Sequence, residues 1–336
     1  MMKVLWNKNA IAGMLLVMLM LMLAACGANG ETEGNGAKAE GATATPAVQS
    51  PSPAPSEEAA SSGETTYPYS VTDGTGTEVT FQQEPSAIVT LVPSETETVF
   101  AIGAGDRVVG VDEWSNYPPE AADIAKIGDM TTNIEAVLAL NPDLVLASAS
   151  MNGDAIAKLR ELNVNVYASE PKTYDEVIAK IEEIGRIVNE NEEAAEVAGH
   201  MREVREEIET AVQDADKKRV YLEFSPGYTV GSGEFLDELL TMAGGSNIAG
   251  GQAGWYQVNA EEVIVQNPEV IIYPDFGEEK SSILTAIEER PGWEAIDAVK
   301  NGKMVMVTND PLVRVGPRLA EGLQELAEAI HPELMK

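Results

Sequence analysis

The sequence predicts an α/β protein of two small doubly wound lobes joined by one long rigid helix, and three patterns carry that prediction. The first is the stretch Asn191 to Asp214, NEEAAEVAGHMREVREEIETAVQD. Its apolar residues, Ala194, Val197, Ala198, Met201, Val204, Ile208, Ala211 and Val212, fall at steps of three, four and one. That spacing is one buried stripe on a helix, with Glu and Arg on the remaining face. Asn191 is placed to cap the helix, and Glu192 and Glu193 suit the positive end of its dipole. About 24 residues at roughly 1.5 Å each give a rod of about 36 Å, longer than an average globular helix.

The second pattern is an echo on either side of that rod. NIEAVLALNPDLVLAS (Asn133 to Ser148) precedes it and NAEEVIVQNPEVIIYP (Asn259 to Pro274) follows it. Both read Asn-x-Glu, a short apolar helix, Asn-Pro-acid, then a strand of branched apolar residues, matching over about 14 positions without a gap. The proline after Asn141 and after Asn267 ends each helix, because the preceding residue is pushed out of the α region. Two generic αβ units would look partly alike, but the identical placement of Asn133/Glu135 and Asn259/Glu261 points to two lobes of similar build. The third pattern is the alternation of strands and helices along the rest of the chain, which means parallel sheets covered on their faces.

Taken in order, residues 1–25 are a targeting segment. Lys3 and Lys8 give a basic start, and Ala10 to Ala25 is an apolar run too short to span a membrane and right for a signal peptide. The run ends in Leu23-Ala24-Ala25-Cys26, which resembles the lipobox of bacterial lipoproteins and makes Cys26 the acylated new N-terminus. Cys26 is also the single cysteine of the chain, so an internal disulfide is excluded. Residues 26–66 are Gly, Ala, Glu, Thr, Ser and Pro with almost no large apolar side chain, and read as a disordered tether. Removal of residues 1–25 leaves 20 basic and 55 acidic residues, a net charge of −35, which excludes nucleic acid and anionic lipid as surface partners.

The first lobe is expected over 67–188. Tyr69–Val71 and Val79–Phe81 flank DGTGT as a hairpin. Strand 88–91, a helix near 97–102, strand 108–111, the first echo with strand 144–147, helix 154–162, strand 164–167 and helix 174–188 follow. The linking helix occupies 189–216 and the second lobe 217–336. There the pattern gives strand 220–224, helix 234–242, the second echo, helix 283–289, strand 304–307 and an amphipathic helix over 318–330. A fold of this kind with about 270 ordered residues suits two lobes.

No catalytic constellation is legible. His200 and His331 stand apart from each other and from Cys26, which argues against a His-rich metal site, and both read as surface residues. No G-x-S-x-G elbow and no phosphate-binding G-x-x-x-x-G-K-[ST] loop occurs, so the glycines at 103–105 and 244–254 read as turns. The aromatics are few but fall where loops should emerge from strands: Trp114 and Tyr117 in DEWSNYPP, Tyr228 after the strand ending at Phe224, and Trp255 and Tyr256 before the second echo. In open α/β sheets ligands lie beyond the carboxyl ends of the strands, and such rings would wall a large flat or greasy ligand.

A tethered lipoprotein of two α/β lobes on one helix resembles the helical-backbone class of substrate-binding proteins of ABC importers, which carry ferric siderophores, haem and cobalamin. The resemblance runs over roughly 67 to 333, with VTLVPSETETVFAIGAGDRVVGVDEWSNYP, the two echoes, MAGGSNIA and NDPLVRVGPRLAEGLQELA as its matching stretches. It implies that Glu135 and Glu261 dock onto arginines of a dimeric permease. It also implies that Trp114, Trp255 and Arg314 contact the ligand, and that this ligand is an iron or cobalt chelate rather than a resident cofactor. The expected protein is a monomer on the outer face of the cytoplasmic membrane, held there by lipidated Cys26 alone. The set of several Arg or Lys that many anionic-siderophore binders carry in these loops is missing. The competing reading, a surface enzyme or adhesin on the same fold, would need a titratable cluster in the cleft or would leave the two matched glutamates without a use.

Overall fold

The structure is a computed structural model that describes residues 63–335 apart from Met130; the signal segment, Cys26 and the tether up to residue 62 lie outside those residues. β1 (Tyr69–Thr72) and β2 (Glu78–Phe81) pair antiparallel, with Tyr69 opposite Phe81. Asp73 closes their turn by accepting the backbone N–H groups of Thr75 and Thr77. The same carboxylate accepts the Ala168 N–H at 3.0 Å and pairs with Arg160, which pins the hairpin to the lobe.

β3 (Ile88–Thr90), β4 (Val108–Val111), β5 (Leu144–Ser148) and β6 (Val166–Ser169) form a four-stranded, all-parallel sheet in the order β4-β3-β5-β6. Leu144 to Ala147 are all fully buried, as an unbroken apolar run should be when helices cover both faces. On one face Val89, Val145 and Val166 pack with Val137, Ile156 and Leu159 of helices Ile134–Ala139 and Gly153–Glu161. On the other, Ile88, Leu144 and Leu146 meet Val99 of helix Pro93–Ala101 and Ile178 of helix Tyr174–Val188. The strand order reverses at β3, whose end leads directly into the helix Pro93–Ala101.

Six strands follow the long helix: β7 (Lys218–Ser225), β8 (Tyr228–Val230), β9 (Gly245–Asn247), β10 (Trp255–Gln257), β11 (Val270–Asp275) and β12 (Met304–Thr308). β7, β11 and β12 lie parallel and β9 joins β7 in parallel, but β8 and β10 run antiparallel along the order β10-β8-β7-β11-β12. This corrects the expectation of parallel strands alone. β8, β9 and β10 are three residues each and lie among glycines, too short for the two-residue alternation that marks a strand.

The long helix spans Asn191–Val212, 22 residues, and Glu190 rather than Asn191 stands at its N-cap. Asn191 instead donates from its side-chain nitrogen to the Gly63 carbonyl at 2.8 Å and to Thr65 Oγ1 at 2.9 Å. Residues 63–66, which the sequence assigns to the tether, are thus bonded to the start of this helix. Ala194, Ala198, Met201, Ile208 and Val212 are buried as the stripe predicts, whereas Ala211 is exposed.

The helix is not the sole connection between the two sheets. One continuous apolar core runs from Phe81 and Ile178 through Met201 and Ile208 to Leu222, Leu239 and Leu326. The Tyr174 N–H donates to Glu238 of helix Phe235–Met242 at 2.8 Å, and the closing helix Leu319–Ile330 packs against the long helix. No helix among the described residues is long and apolar enough to cross a membrane.

Candidate functional site

The carboxyl ends of the two sheets open toward each other, and one side chain establishes this. β12 runs out into a short helix, Asn309–Val313, and then into Arg314. Arg314 donates to Asn116 Oδ1 at 3.0 Å and to the Trp114 carbonyl at 3.3 Å, both in the loop that leaves β4. Loops from the ends of β4 and β12 therefore meet, which is where an open α/β sheet places its ligand.

Each lobe also exposes aromatic rings. In the first lobe Trp114 is 62% exposed and Tyr117 43%. In the second, Tyr228, Trp255 and Phe276 are exposed, with Trp255 edge-on to Phe224 at 5.0 Å between ring centres and Phe224 edge-on to Phe276 at 5.6 Å. Tyr228 and Trp255 lie on paired strands, not in loops, with Gln257 opposite Tyr228 and Trp255 opposite Val230. Tyr256 instead braces its own lobe. Its hydroxyl donates to the Ala249 carbonyl at 2.8 Å, and burial raises its pKa.

Arg314, expected to meet the ligand, is largely committed to protein. Its guanidinium bonds Glu97 Oε1 at 2.6 Å and Asp310 Oδ2 at 2.7 Å, and its side chain is 10% exposed. Arg318 bonds the same Glu97 carboxylate through both oxygens, at 2.7 and 2.8 Å, and its guanidinium lies over the Tyr117 ring at 4.0 Å. Burial works against the charge on Arg318, but the Glu97 carboxylate outweighs it and raises the pKa. Below this pair, Lys180 sits on Glu95 at 3.2 Å with both side chains at most 3% exposed. Ser169, at the end of β6, donates to the same Glu95 oxygen at 2.6 Å.

A family model described as "Periplasmic binding protein" matches residues 88–311, about two thirds of the chain. The chain belongs to this periplasmic binding protein family. An uncharacterized ABC transporter substrate-binding lipoprotein of Bacillus subtilis, YvrC, is 37% identical over 281 residues, covering 80% of this chain and 88% of that protein. The periplasmic vitamin B12-binding protein BtuF of Vibrio cholerae is 30% identical with a TM-score of 0.64, covering 74% of this chain and 97% of its own. The periplasmic haem-binding protein RhuT of Roseiflexus sp. RS-1 is 26% identical with a TM-score of 0.64, covering 75% and 99%. These relatives are binding proteins, not enzymes.

In this periplasmic binding protein the echoes are alike in space as well as in sequence. Asn133 accepts the Ala136 N–H at 3.1 Å and Asn259 accepts the Glu261 N–H at 3.0 Å, each capping its helix. Asn141 and Asn267 both adopt the left-handed conformation, with φ of 48° and 47°, so the helix ends there by an αL turn rather than by an extended residue before proline. Glu135 and Glu261 are both exposed in the first helical turn.

Sequence reasoning misses Glu95, Glu97, Lys180, Arg318, Phe224 and Phe276. The signal for three of them, Glu95, Glu97 and Arg318, is present, since SETET and LVRVGPRLA both lie in the stretches that carry the family resemblance. Their mutual bonding, 217 to 221 positions apart, is not legible there. His331 is not the surface residue that its sequence surroundings suggest. It is 1% exposed, and its Nε2 lies 3.2 Å from the Gly244 carbonyl, whereas His200 is exposed. A cavity of about 750 Å³ is lined by Tyr117 and by the Glu97–Arg318 pair; Phe100, Val197, Met201 and Ala320 form its apolar floor.

Proposed function

We propose that this protein captures a large, flat, mostly apolar metal chelate, a cobalamin-type corrinoid in the first place, and delivers it to an ABC permease dimer. One observation carries the ligand class: the two lobes expose five aromatic rings, while the two arginines at the contact between β12 and the loop after β4 are neutralised by Glu97 and Asp310. A ferric siderophore bearing negative charges, or the propionates of haem, would call for a free cation, since an anion taken out of water needs a charged or multiply donating partner. A corrinoid offers a broad flat face with neutral amides at its edge, which suits aromatic walls with polar groups such as Asn116 nearby. The vitamin B12-binding relative supports the same choice.

Titration of the purified protein with cyanocobalamin, haemin and a ferric hydroxamate, read by quenching of tryptophan emission, tests the reading. Saturable binding of cyanocobalamin tighter than of the other two is expected. Tight binding of haemin or the hydroxamate alone would replace the ligand class while leaving the transport role in place.

In the same reading, residues 67–188 and 217–336 act as the two lobes about the linker 189–216, and Glu135 and Glu261 meet arginine forks of the permease from rigid helix starts. The protein acts as a monomer on the outer face of the cytoplasmic membrane. Cys26 supplies the anchor, because several acyl chains at about 0.8 kcal/mol per buried CH₂ hold firmly. Cys26→Ala is expected to release folded, soluble protein; a variant that stays with the membrane after signal cleavage places the anchor elsewhere.

A further inference from the structure

The segment Arg314-Val315-Gly316-Pro317-Arg318 leaves the second sheet and crosses the helix Pro93–Ala101 of the first lobe, and it is fastened there at four points. Arg314 and Arg318 both bond Glu97, whose side chain is 1% exposed. The Val315 carbonyl accepts Lys180 Nζ at 2.7 Å, and Lys180 is itself paired with Glu95. Gly316 lies so close that a methyl group on it would stand 3.1 Å from the Ser94 carbonyl oxygen.

We propose that Glu97 is a positioning residue for the first lobe's ligand wall, and that its two buried ion pairs hold the strap 314–318 as a latch that fixes the spacing between the lobes. The positioning half rests on the reading that the aromatic walls bind ligand; the latch does not. The route is short. Glu97 fixes Arg314, which holds the loop after β4 by the Trp114 carbonyl and the Asn116 side chain. Glu97 fixes Arg318, which lies over the face of Tyr117 at 4.0 Å. Without the carboxylate two guanidinium groups, 10% and 13% exposed, face each other with Asp310 as the nearest anion. A buried charge that loses its partner is strongly unfavourable, so both would move toward water and give up Trp114, Asn116, Tyr117 and the strap together, while Asp112, Thr96 and Lys126 still hold Ser115. A binding wall that is in place for only a fraction of the time lowers apparent affinity by that fraction.

The test uses the full mature chain with Cys26→Ala and spin labels on cysteines introduced at Lys158 and Glu288, exposed helix positions in the two lobes. The distance distribution between the labels is measured for this protein and for Glu97→Gln, alongside titration with cyanocobalamin and haemin. The proposal expects Glu97→Gln to lengthen or broaden the distribution and to weaken cyanocobalamin about tenfold. Arg314→Gln, which leaves the Arg318–Glu97 pair intact, serves if Glu97→Gln does not fold, and is expected to act in the same direction by less. A residue with a stabilising role alone would lower Tm and leave the distance as it was. An unchanged distribution in the folded variants overturns the latch, and unchanged affinity overturns the positioning role. If the parent binds neither probe, the ligand reading fails with its positioning half, while the distance measurement still decides the latch.

Discussion

The two lobes present their aromatic residues by different means. In the second, Tyr228 and Trp255 sit on β8 and β10, whose backbones are paired, and Trp255, Phe224 and Phe276 brace one another edge to face. That wall is held by a hydrogen-bonded ladder and by its own rings. In the first, Trp114 and Tyr117 lie in a loop whose Ser115 is bonded to Asp112, Thr96 and Lys126 of its own lobe, while guanidinium groups from the second lobe take the Trp114 carbonyl and the Tyr117 ring face. One wall is held within its own lobe and the other partly from across the cleft. The echoes, by contrast, match down to the cap and the left-handed asparagine. The likeness extends to the exposed glutamates and stops at the aromatic residues.

The largest effect should fall on the matched part. Each exposed glutamate meeting an arginine fork would contribute about 1.5–3 kcal/mol, the range for hydrogen bonds to charged groups. Glu135→Ala with Glu261→Ala should therefore lower uptake in reconstituted proteoliposomes by about two orders of magnitude or more, while Tm and ligand affinity stay nearly unchanged. Each single variant should lose about tenfold, and equal single losses are what symmetric docking demands. Normal uptake by the double variant would reduce both residues to helix-start acids, which the dipole favours by about 0.3–1 kcal/mol anyway.

What could be read from the sequence follows the range of the interaction. The stripe of the long helix and the caps at Asn133 and Asn259 are local, so a few residues carry them; even there Asn191 yields the cap to Glu190 and Ala211 is exposed. β8 and β10 are local too, but three residues among glycines give no period to read. The Glu97–Arg314 pair is local at neither end: a glutamate in a short helix looks like surface or dipole chemistry, and Arg314 is expected at the ligand only because the family resemblance implies it. Their separation by 217 positions hides that each neutralises the other. His331 fails similarly, because its burial comes from β9 and the turn at Gly244, which adopts φ of 78° beside it.

A second, smaller effect sets the lobes apart in acid. Burial would raise the Asp73 pKa, but hydrogen bonds from Thr75, Ala168 and Thr77 outweigh it and hold the carboxyl below its usual range. Because the folded value is depressed, the contribution is complete above the ordinary carboxylate range and is lost as pH falls through the folded value. Asp73→Ala should lower stability by about 2–3 kcal/mol near neutral pH, the scale of bonds to a buried charged acceptor. The gap between variant and parent should narrow as pH falls below the ordinary carboxylate range. A gap independent of pH in urea denaturation would mean that the hairpin is fastened by shape and not by this charge.

The smallest effect addresses the walls themselves and needs no transporter. Trp114 has no ring partner among the described residues and is 62% exposed, so Trp114→Ala should leave the Tm of the unliganded protein unchanged. Trp255 is the outer member of a ring contact with Phe224, so Trp255→Ala should lose about 0.5–1.5 kcal/mol from that pair. In a protein of this size that is a fall in Tm of about 2–4 °C for each kcal/mol. Both variants should weaken ligand binding by about tenfold, on the scale of truncating an aromatic anchor. The discriminating quantity is thus the Tm measured without ligand, since affinity falls in either case. Equal Tm losses in the two variants would mean that the first wall braces itself as the second does, and that the arginines reaching across the cleft are not what holds it.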